Sequence, residues 1–312
     1  MSWERISLRA VQGAAPASIP VLIYGTAWKQ DQTAELVHQA LSAGFRAVDT
    51  AAQPKHYRED LVGAGIRKAI KEGTVRREDL YVQTKYTSAQ GQDPVRMPYD
   101  PTHSITDQVH ASIRSSLRNL RLREENDDEE QTYIDTVLLH SPLPTMAQTL
   151  EAWSALESYV PHRVRNMGIS NCTLAVLEEL YRSPQVRIKP VVVQNRFYPT
   201  TRFDGALRAF CREHGIVYQS FWTLTANPQL LRSAEVAKLA QEAGISAAAA
   251  LYCLVLGLGQ TTVLDGTTNA SRMAEDLAAP KRVEQYANEQ PDAWLELLAS
   301  FKTLIREPVS DR

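Results

Sequence analysis

Short apolar segments alternate with amphipathic helical segments about eight times along the 312 residues, and this repetition constrains the fold more than any other feature. Most apolar segments are uninterrupted runs rather than apolar–polar alternations, which is typical of parallel strands covered on both faces. Regular β–α repetition without a break in composition favours one closed (β/α)8 barrel, a TIM barrel, over two domains. We therefore predict a single α/β barrel domain over residues 1–312.

The element bounds follow from the apolar periodicity. The predicted strands cover residues 20–27, 47–50, 80–86, 134–140, 166–170, 191–196, 216–221 and 262–264. The predicted helices cover residues 32–43, 59–71, 105–120, 147–159, 174–182, 204–214, 234–243, 247–256, 271–277 and 294–305. A doubly wound sheet is the structural alternative. It would need a GxGxxG segment between the first strand and the first helix, and the sequence has none there.

Charge and cysteine content exclude several classes of protein. Lys plus Arg total 34 against 36 Asp plus Glu, so no basic excess predicts binding to nucleic acid or to an anionic membrane surface. No apolar run of about 18 residues predicts a membrane span, and the start MSWERISLRA lacks the pattern of a secretory signal. Cys172, Cys211 and Cys253 are odd in number and widely spaced. We expect free thiols in a cytoplasmic protein.

Two segments do not fit the alternation. Residues 87–104 are rich in Pro, Asp and Gly and predict a long loop after the third strand. Because that loop leaves the carboxyl end of a barrel strand, we expect it to shape substrate entry. Residues 123–130 (REENDDEE) form an acidic run that predicts a solvated loop at the opposite end of the barrel.

Ionisable residues stand at the carboxyl ends of consecutive predicted strands, where the active sites of such barrels lie. Asp49 ends the second strand, Lys85 the third and His140 the fourth. Asp49 and Lys85 can form a buried ion pair, and such a lysine is expected to lower the pKa of a nearby tyrosine. A proton-donating tyrosine and a histidine that orients a carbonyl oxygen suit carbonyl reduction, in which hydride reaches carbon. Each residue taken alone could equally be structural.

Several motifs point to one family when they are taken together. They are GTAW at 25–28, AGFRAVDTA at 43–51, Lys85 in VQTKY, VLLHSP at 137–142, GISN at 168–171 and VVVQNRFYP at 191–199. In order and spacing they resemble the aldo-keto reductase family over nearly the whole chain. The resemblance implies a TIM barrel that binds a nicotinamide nucleotide, usually NADPH, without a Rossmann motif. It also implies a catalytic tetrad of Asp, Tyr, Lys and His.

The resemblance assigns Asp49, Lys85 and His140 to three tetrad positions directly. We assign the acid to Tyr57, which lies in DTAAQPKHYRED at 49–60, farther from the aspartate than in most members. A QPKHY-like loop of this kind resembles a fungal-type subgroup. The alternative is a surface-loop tyrosine, with water or no group as the acid.

The resemblance also implies the nucleotide site. Ser170, Asn171 and Gln194 would bind the carboxamide, Phe221 would stack on the nicotinamide, and Arg272 would pair with a 2′-phosphate. The remaining implied contacts are Gly25, Thr26, Asp49, Thr223, Leu224, Gly266, Thr267, Thr268, Glu275 and Asp276. Many members carry Lys where Gly266 stands and Pro where Asp265 stands. That departure weakens 2′-phosphate binding, yet NADPH remains preferred over NADH.

A small-molecule carbonyl substrate is expected to contact Trp28, Tyr57, His140 and Trp222, with the loop around Tyr99 nearby. Core packing is the alternative for Trp222. The preferred function is a reversible NADPH-dependent carbonyl reductase acting as a monomer or weak homo-oligomer. The first alternative is a nicotinamide-binding accessory subunit of the same fold with little catalysis. A barrel metal hydrolase is the second, and it is disfavoured because neither HxH nor HExxH occurs, so no metal site is predicted.

Overall fold

The computed structural model describes residues 3–11, 17–122 and 132–307. Its centre is a closed barrel of parallel strands in the order β10-β3-β4-β5-β6-β7-β8-β9. The barrel strands are β3 Leu22–Gly25, β4 Ala47–Asp49, β5 Tyr81–Tyr86, β6 Ile134–Leu139, β7 Val164–Ser170, β8 Val192–Arg196, β9 Val217–Phe221 and β10 Thr261–Asp265. The fold is therefore the predicted (β/α)8 TIM barrel.

Helices surround the barrel. They are α1 Thr33–Ala43, α2 Glu59–Lys71, α3 Ile105–Asn119, α4 Met146–Glu157, α5 Leu174–Arg182, α6 Gly205–Glu213, α7 Pro228–Leu231, α8 Ala234–Ala243, α9 Ala247–Leu256, α10 Ala270–Glu289 and α11 Pro291–Leu304. The predicted bounds of α2, α5, α8 and α9 are exact. For three of these the start is fixed locally, because the N-cap hydroxyls of Thr173, Ser233 and Ser246 accept first-turn amides.

An N-terminal hairpin, which the sequence analysis did not predict, closes one end of the barrel. It pairs β1 Arg5–Ser7 with β2 Ser18–Pro20 in antiparallel register. Leu8 and Ile19 from this hairpin pack with Tyr81 and Val217, which stand at the beginnings of β5 and β9. The amino ends of the barrel strands are therefore covered by apolar side chains. The carboxyl ends, which carry the predicted site, lie at the opposite end.

Strand packing explains one glycine of the GISN motif. A Cβ atom added to Gly168 in β7 would lie 2.4 Å from the carbonyl oxygen of Val192 in β8. Any side chain at this position would therefore push the two strands apart. Gly168 thus allows the close approach of β7 to β8 that places the residues after it, Ser170 and Asn171, at the barrel mouth.

The long loop 87–104 leaves β5 at the carboxyl end of the barrel, as predicted. Tyr99 within it is buried, donates a hydrogen bond from its phenol to the carbonyl of Thr87 at 2.6 Å and packs on Tyr86. The Tyr99 side chain thus anchors the loop to the core, and the expectation that the loop around it lies near the substrate stays a prediction. The acidic run 123–130 lies outside the described residues.

Cys172, Cys211 and Cys253 are buried and free, as predicted. Within the described ranges, no single helix is long and apolar enough to cross a membrane. Only α8 and α9 taken together reach that length and composition, and their axes are bent by 102°.

Candidate active site

A buried ion pair forms the base of the candidate site. Asp49 and Lys85 come from the adjacent strands β4 and β5, and the Lys85 Nζ donates to Asp49 Oδ2 at 2.5 Å. The same ammonium donates to the carbonyl of Thr50 at 2.8 Å. Both side chains are almost fully buried, so the burial lowers the pKa of Lys85 while the Asp49 charge opposes that shift. The predicted ion pair is present.

The long QPKHY loop folds back so that Tyr57 lies over this pair. The carbonyl oxygen of Gln53 accepts the amides of His56 at 3.2 Å and of Tyr57 at 3.0 Å. This turn takes up the additional residues between Asp49 and the start of α2. The Lys85 Nζ lies 5.1 Å from the centre of the Tyr57 ring. The structure thus brings Tyr57 to the ion pair, as the sequence analysis expected.

The expected pKa of Tyr57 is wrong in direction. Burial raises the pKa of the phenol above its ordinary value, and the Asp49 charge raises it further. The Lys85 ammonium, which is paired with the carboxylate 2.5 Å away, does not reverse this direction. Desolvation of a phenolate therefore decides the direction. Tyr57 is accordingly protonated at neutral pH, which is the state that a proton donor requires.

His140 stands beside the phenol in its neutral form. Its ring centre is 6.1 Å from that of Tyr57, and its Nδ1 lies 2.6 Å from the Thr87 hydroxyl. Burial lowers the pKa of His140 to about 3, with further contributions from the Lys85 and His56 charges. If the Thr87 hydroxyl donates to Nδ1, then Nε2 carries the proton and can donate to a carbonyl oxygen. Sequence reasoning missed Thr87, which lies only two residues after Lys85.

The predicted carboxamide-binding residues gather at the ends of β7 and β8. The Ser170 hydroxyl donates to the backbone carbonyl of Gln194 at 2.7 Å, and Asn171 Nδ2 donates to the carbonyl of His140 at 2.9 Å. Asn171 has a φ of 52°, in the left-handed region that asparagine tolerates better than most residues. These contacts tie the carboxamide-binding positions to the strand that carries His140.

Gln83 and Gln219, which the sequence analysis missed, form with the predicted Gln194 a layer of amides inside the barrel that supports Asp49. Gln83 Nε2 and Gln194 Nε2 donate to Asp49 Oδ1 at 2.7 and 2.9 Å. Both amides also donate to Gln219 Oε1, at 2.8 and 2.9 Å. Gln83 and Gln219 stand two residues before Lys85 and Phe221. The two-residue period of a strand therefore places them on the same inward face as those residues. This periodicity can be seen in the sequence and could have identified both glutamines.

The predicted nucleotide loop after β10 is open at Gly266, where an added Cβ atom would meet nothing within 4 Å. Lys29, which the sequence analysis did not single out, donates to the Gly266 carbonyl at 2.8 Å. The Lys29 ammonium, from the loop after β3, therefore lies next to Gly266, the position at which many family members carry a lysine. Burial lowers the pKa of Lys29 to about 8, against the Asp265 charge.

The other predicted nucleotide residues differ in exposure. Thr268, Arg272 and Glu275 are exposed at the start of α10, and Thr267 is half-buried. Asp276 is buried, and its pKa is raised to about 8 by burial and by the Asp265 charge. On the barrel side, the Thr26 hydroxyl donates to the Asp49 carbonyl at 2.8 Å, and Gly25 pairs in register with Asp49.

At the end of β9, Phe221 is half-buried and Leu224 packs partly on the core. The Thr223 side chain is turned inward, with its hydroxyl 2.6 Å from that of Ser220. The Thr223 hydroxyl is therefore engaged within the protein, and the residue is buried.

Two tryptophans stand exposed near the site. The exposed fractions of Trp28 and Trp222 are 58% and 47%, so core packing, the alternative for Trp222, is wrong. The Trp28 ring lies on His56 with ring centres 3.8 Å apart, and the Arg196 guanidinium lies 4.0 Å from the Trp222 ring centre. Both residues have positive φ values, 65° and 56°. Apolar surface is therefore available to a substrate on either side.

Within the part of the chain that the structure describes, no cluster of His, Cys, Asp or Glu has the makeup of a metal site. The site instead joins a protonated phenol, a neutral imidazole and a buried ion pair. Amides at the adjoining strand ends can bind a neutral carboxamide. This combination can donate a proton to a carbonyl oxygen that is held by hydrogen bonds.

Comparisons with known proteins agree with this geometry. A profile described as the Aldo/keto reductase family matches residues 22–296. A glyoxal reductase of Bacillus subtilis is 30% identical over 75% of this chain and 72% of its own. An aldehyde reductase of Saccharomyces cerevisiae is 27% identical over 83% of this chain and 82% of its own.

A solved aldo/keto reductase structure from Brucella melitensis shares the fold, with a TM-score of 0.67 over 88% of this chain and 93% of that chain. Its sequence identity is 24%, so the likeness bears on the fold alone. The profile match extends over most of the barrel, from its first parallel strand into the terminal helix. The chain therefore belongs to the aldo/keto reductase family and is an NAD(P)H-dependent oxidoreductase.

Proposed function

We propose that this protein reversibly reduces an aldehyde or ketone to the alcohol, with NADPH as hydride donor and Tyr57 as proton donor. The position of Tyr57 carries the proposal, since its ring lies 5.1 Å from the Lys85 ammonium. His140, neutral and oriented by Thr87, would hold the carbonyl oxygen beside the phenol. The tetrad is then Asp49, Tyr57, Lys85 and His140.

In the reductive direction the phenol loses its proton to the substrate oxygen. Lys85 supports this step, because its ammonium favours the phenolate that forms, and Asp49 keeps the ammonium in place. A bound reduced nicotinamide would supply the hydride. The raised pKa of Tyr57 keeps the phenol protonated at neutral pH, as reduction requires. Alcohol oxidation needs the phenolate instead and should therefore become faster as the pH rises.

The residues around the mouth fit a nicotinamide nucleotide. The Gln194 NH2 group donates to Asp49 and to Gln219, so its Oε1 is left to accept from a carboxamide. The open space at Gly266 and the exposed Arg272 suit a bulky phosphate. Lys29 offsets the missing charge at Gly266, which favours NADPH over NADH. The QPKHY turn and the yeast relative make a fungal-type subgroup our choice within the family.

A screen of aldehydes, ketones and dicarbonyls tests the function, with oxidation of NADPH or NADH followed by absorbance. We expect turnover of several small aldehydes or dicarbonyls. Tight nucleotide binding without turnover of any carbonyl compound would favour the accessory-subunit alternative. Absence of nucleotide binding by calorimetry would contradict both readings.

Arg272→Ala is expected to weaken NADPH binding about tenfold or more while leaving NADH binding nearly unchanged, because a charge-assisted hydrogen bond to the 2′-phosphate is lost. Affinities for both nucleotides are measured by quenching of tryptophan fluorescence. Arg282→Ala is the matched control. It removes an exposed arginine from the same helix, one whose guanidinium donates to the Gly244 carbonyl. An equal loss of affinity for both nucleotides in Arg272→Ala would contradict the assignment.

A further inference from the structure

The inward faces of β5 and β9 carry two glutamines that contact neither solvent nor any expected substrate position. The exposed fraction of both Gln83 and Gln219 is 0%. Buried amides of this kind are costly unless they are fully hydrogen bonded. Gln83 pairs in register with Asp49 of β4, and Gln219 with Gln194 of β8. Both glutamines are therefore direct neighbours of residues assigned to the site.

Only one orientation of the three amide groups is consistent with the hydrogen bonds of this layer. Asp49 Oδ1 can only accept, so the two amide groups that face it, from Gln83 and Gln194, must present their NH2 groups. The same two NH2 groups also meet Gln219 Oε1, which therefore accepts both. The Gln219 NH2 group then donates to Gln83 Oε1 at 3.0 Å. The carboxylate at one end of the layer thus determines the orientation of every amide.

We propose that Gln219 and Gln83 are positioning residues that lock the Gln194 amide, so that Gln194 offers only its carbonyl oxygen to the nicotinamide carboxamide. The inference rests on the proposed nicotinamide-dependent function and goes beyond it, because neither glutamine touches the nucleotide. Gln194 reaches Asp49 as well, so one layer of hydrogen bonds joins the cofactor side of the mouth to the proton-donating side. Without Gln219 the Gln194 NH2 group keeps only its hydrogen bond to Asp49 Oδ1, so the amide is held by one acceptor instead of two and its carbonyl oxygen can turn away from the nicotinamide.

The test compares a nicotinamide nucleotide with the same molecule lacking its nicotinamide. Calorimetry measures the affinity of wild type and of Gln219→Met for NADPH and for 2′-phospho-ADP-ribose. NADH and ADP-ribose serve as the second pair. We expect Gln219→Met to lose about tenfold in affinity for NADPH and for NADH, and less than about twofold for the two fragments. Such a difference cannot come from a general loss of structure, which would weaken all four ligands together.

Two further variants complete the test. Thr262→Val is the matched control, because Thr262 pairs in register with Gln219, is fully buried and has a hydroxyl without a hydrogen-bond partner among the described residues. It should change none of the four affinities. Gln219→Glu keeps an oxygen at the same place, and its carboxyl, buried near Asp49, should stay protonated. It should recover affinity to within about threefold of wild type.

Equal losses for the nucleotides and the fragments in Gln219→Met, or no loss for either, would overturn the positioning role. If Gln219→Met does not fold, Gln219→Asn replaces it, because its shorter side chain withdraws the oxygen that accepts from Gln194. A selective loss for the two nicotinamide nucleotides then supports the lock, and equal or absent losses for all four ligands overturn it. Failure of wild type to bind any of the four ligands would count against the proposed function itself. The two failures are therefore distinguishable.

Discussion

Tyr57→Phe is expected to lower kcat for an aldehyde by about 10²–10⁴-fold, because it removes the proton donor and leaves the ring in place. The affinity for NADPH should stay within about twofold of wild type, since the change removes one hydroxyl away from the amides at the ends of β7 and β8. Steady-state rates with saturating NADPH and calorimetric binding measure the two quantities. The wild-type rate of alcohol oxidation should also rise with pH, and this dependence should be lost in the variant.

Tyr86→Phe is the control for this change. Tyr86 follows Lys85 in β5, but its phenol lies near Gln108 of α3, between the barrel and the helices. Its variant should retain the wild-type rate. Full activity in Tyr57→Phe would show that another group, such as a bound water, donates the proton.

Lys85→Met is expected to abolish measurable turnover and to lower the free energy of unfolding by about 3–5 kcal/mol. The reason is that Asp49 would remain as a buried charge without its ammonium partner. Denaturant titration measures the stability, and the aldehyde assay measures the activity. Lys55→Met, which removes an exposed lysine from the same loop as Tyr57, is the control and should change neither quantity.

The double variant Asp49→Asn, Lys85→Met separates stability from catalysis. Asparagine removes the buried charge and keeps an oxygen that accepts from Gln83 and Gln194. We expect most of the lost stability to return while activity remains absent, because a buried ion pair is often replaceable without loss of stability. Recovery of activity in the double variant would contradict the role of the ammonium beside Tyr57.

Periodicity along the sequence was sufficient for most of the barrel. The bounds of α2 follow from amphipathic spacing, and the start of α5 follows also from its Thr173 cap; both are properties of neighbouring residues. The hairpin of β1 and β2 was missed because each strand has only three residues, too few for an alternating pattern to be recognised. Its strands are held by contacts with the finished barrel rather than by a pattern of their own.

The candidate site was predictable in composition more than in energetics. Asp49, Lys85 and His140 were found because each ends an apolar run. The pKa of Tyr57 was predicted in the wrong direction, since the sequence does not reveal that the loop turn at Gln53 buries the phenol. Gln83 and Gln219 are 136 positions apart, and their hydrogen bonds exist only once the barrel has closed.

The packing of Leu8 and Ile19 of the N-terminal hairpin against the amino ends of the strands has a consequence for turnover. These apolar side chains cover the amino ends of the strands, so we expect the phenol to recover its proton from bulk solvent at the rim where Trp28 stands. Reprotonation of Tyr57 and entry of the next substrate would then take place through the same opening. Slow release of a bulky product from that opening would delay both steps.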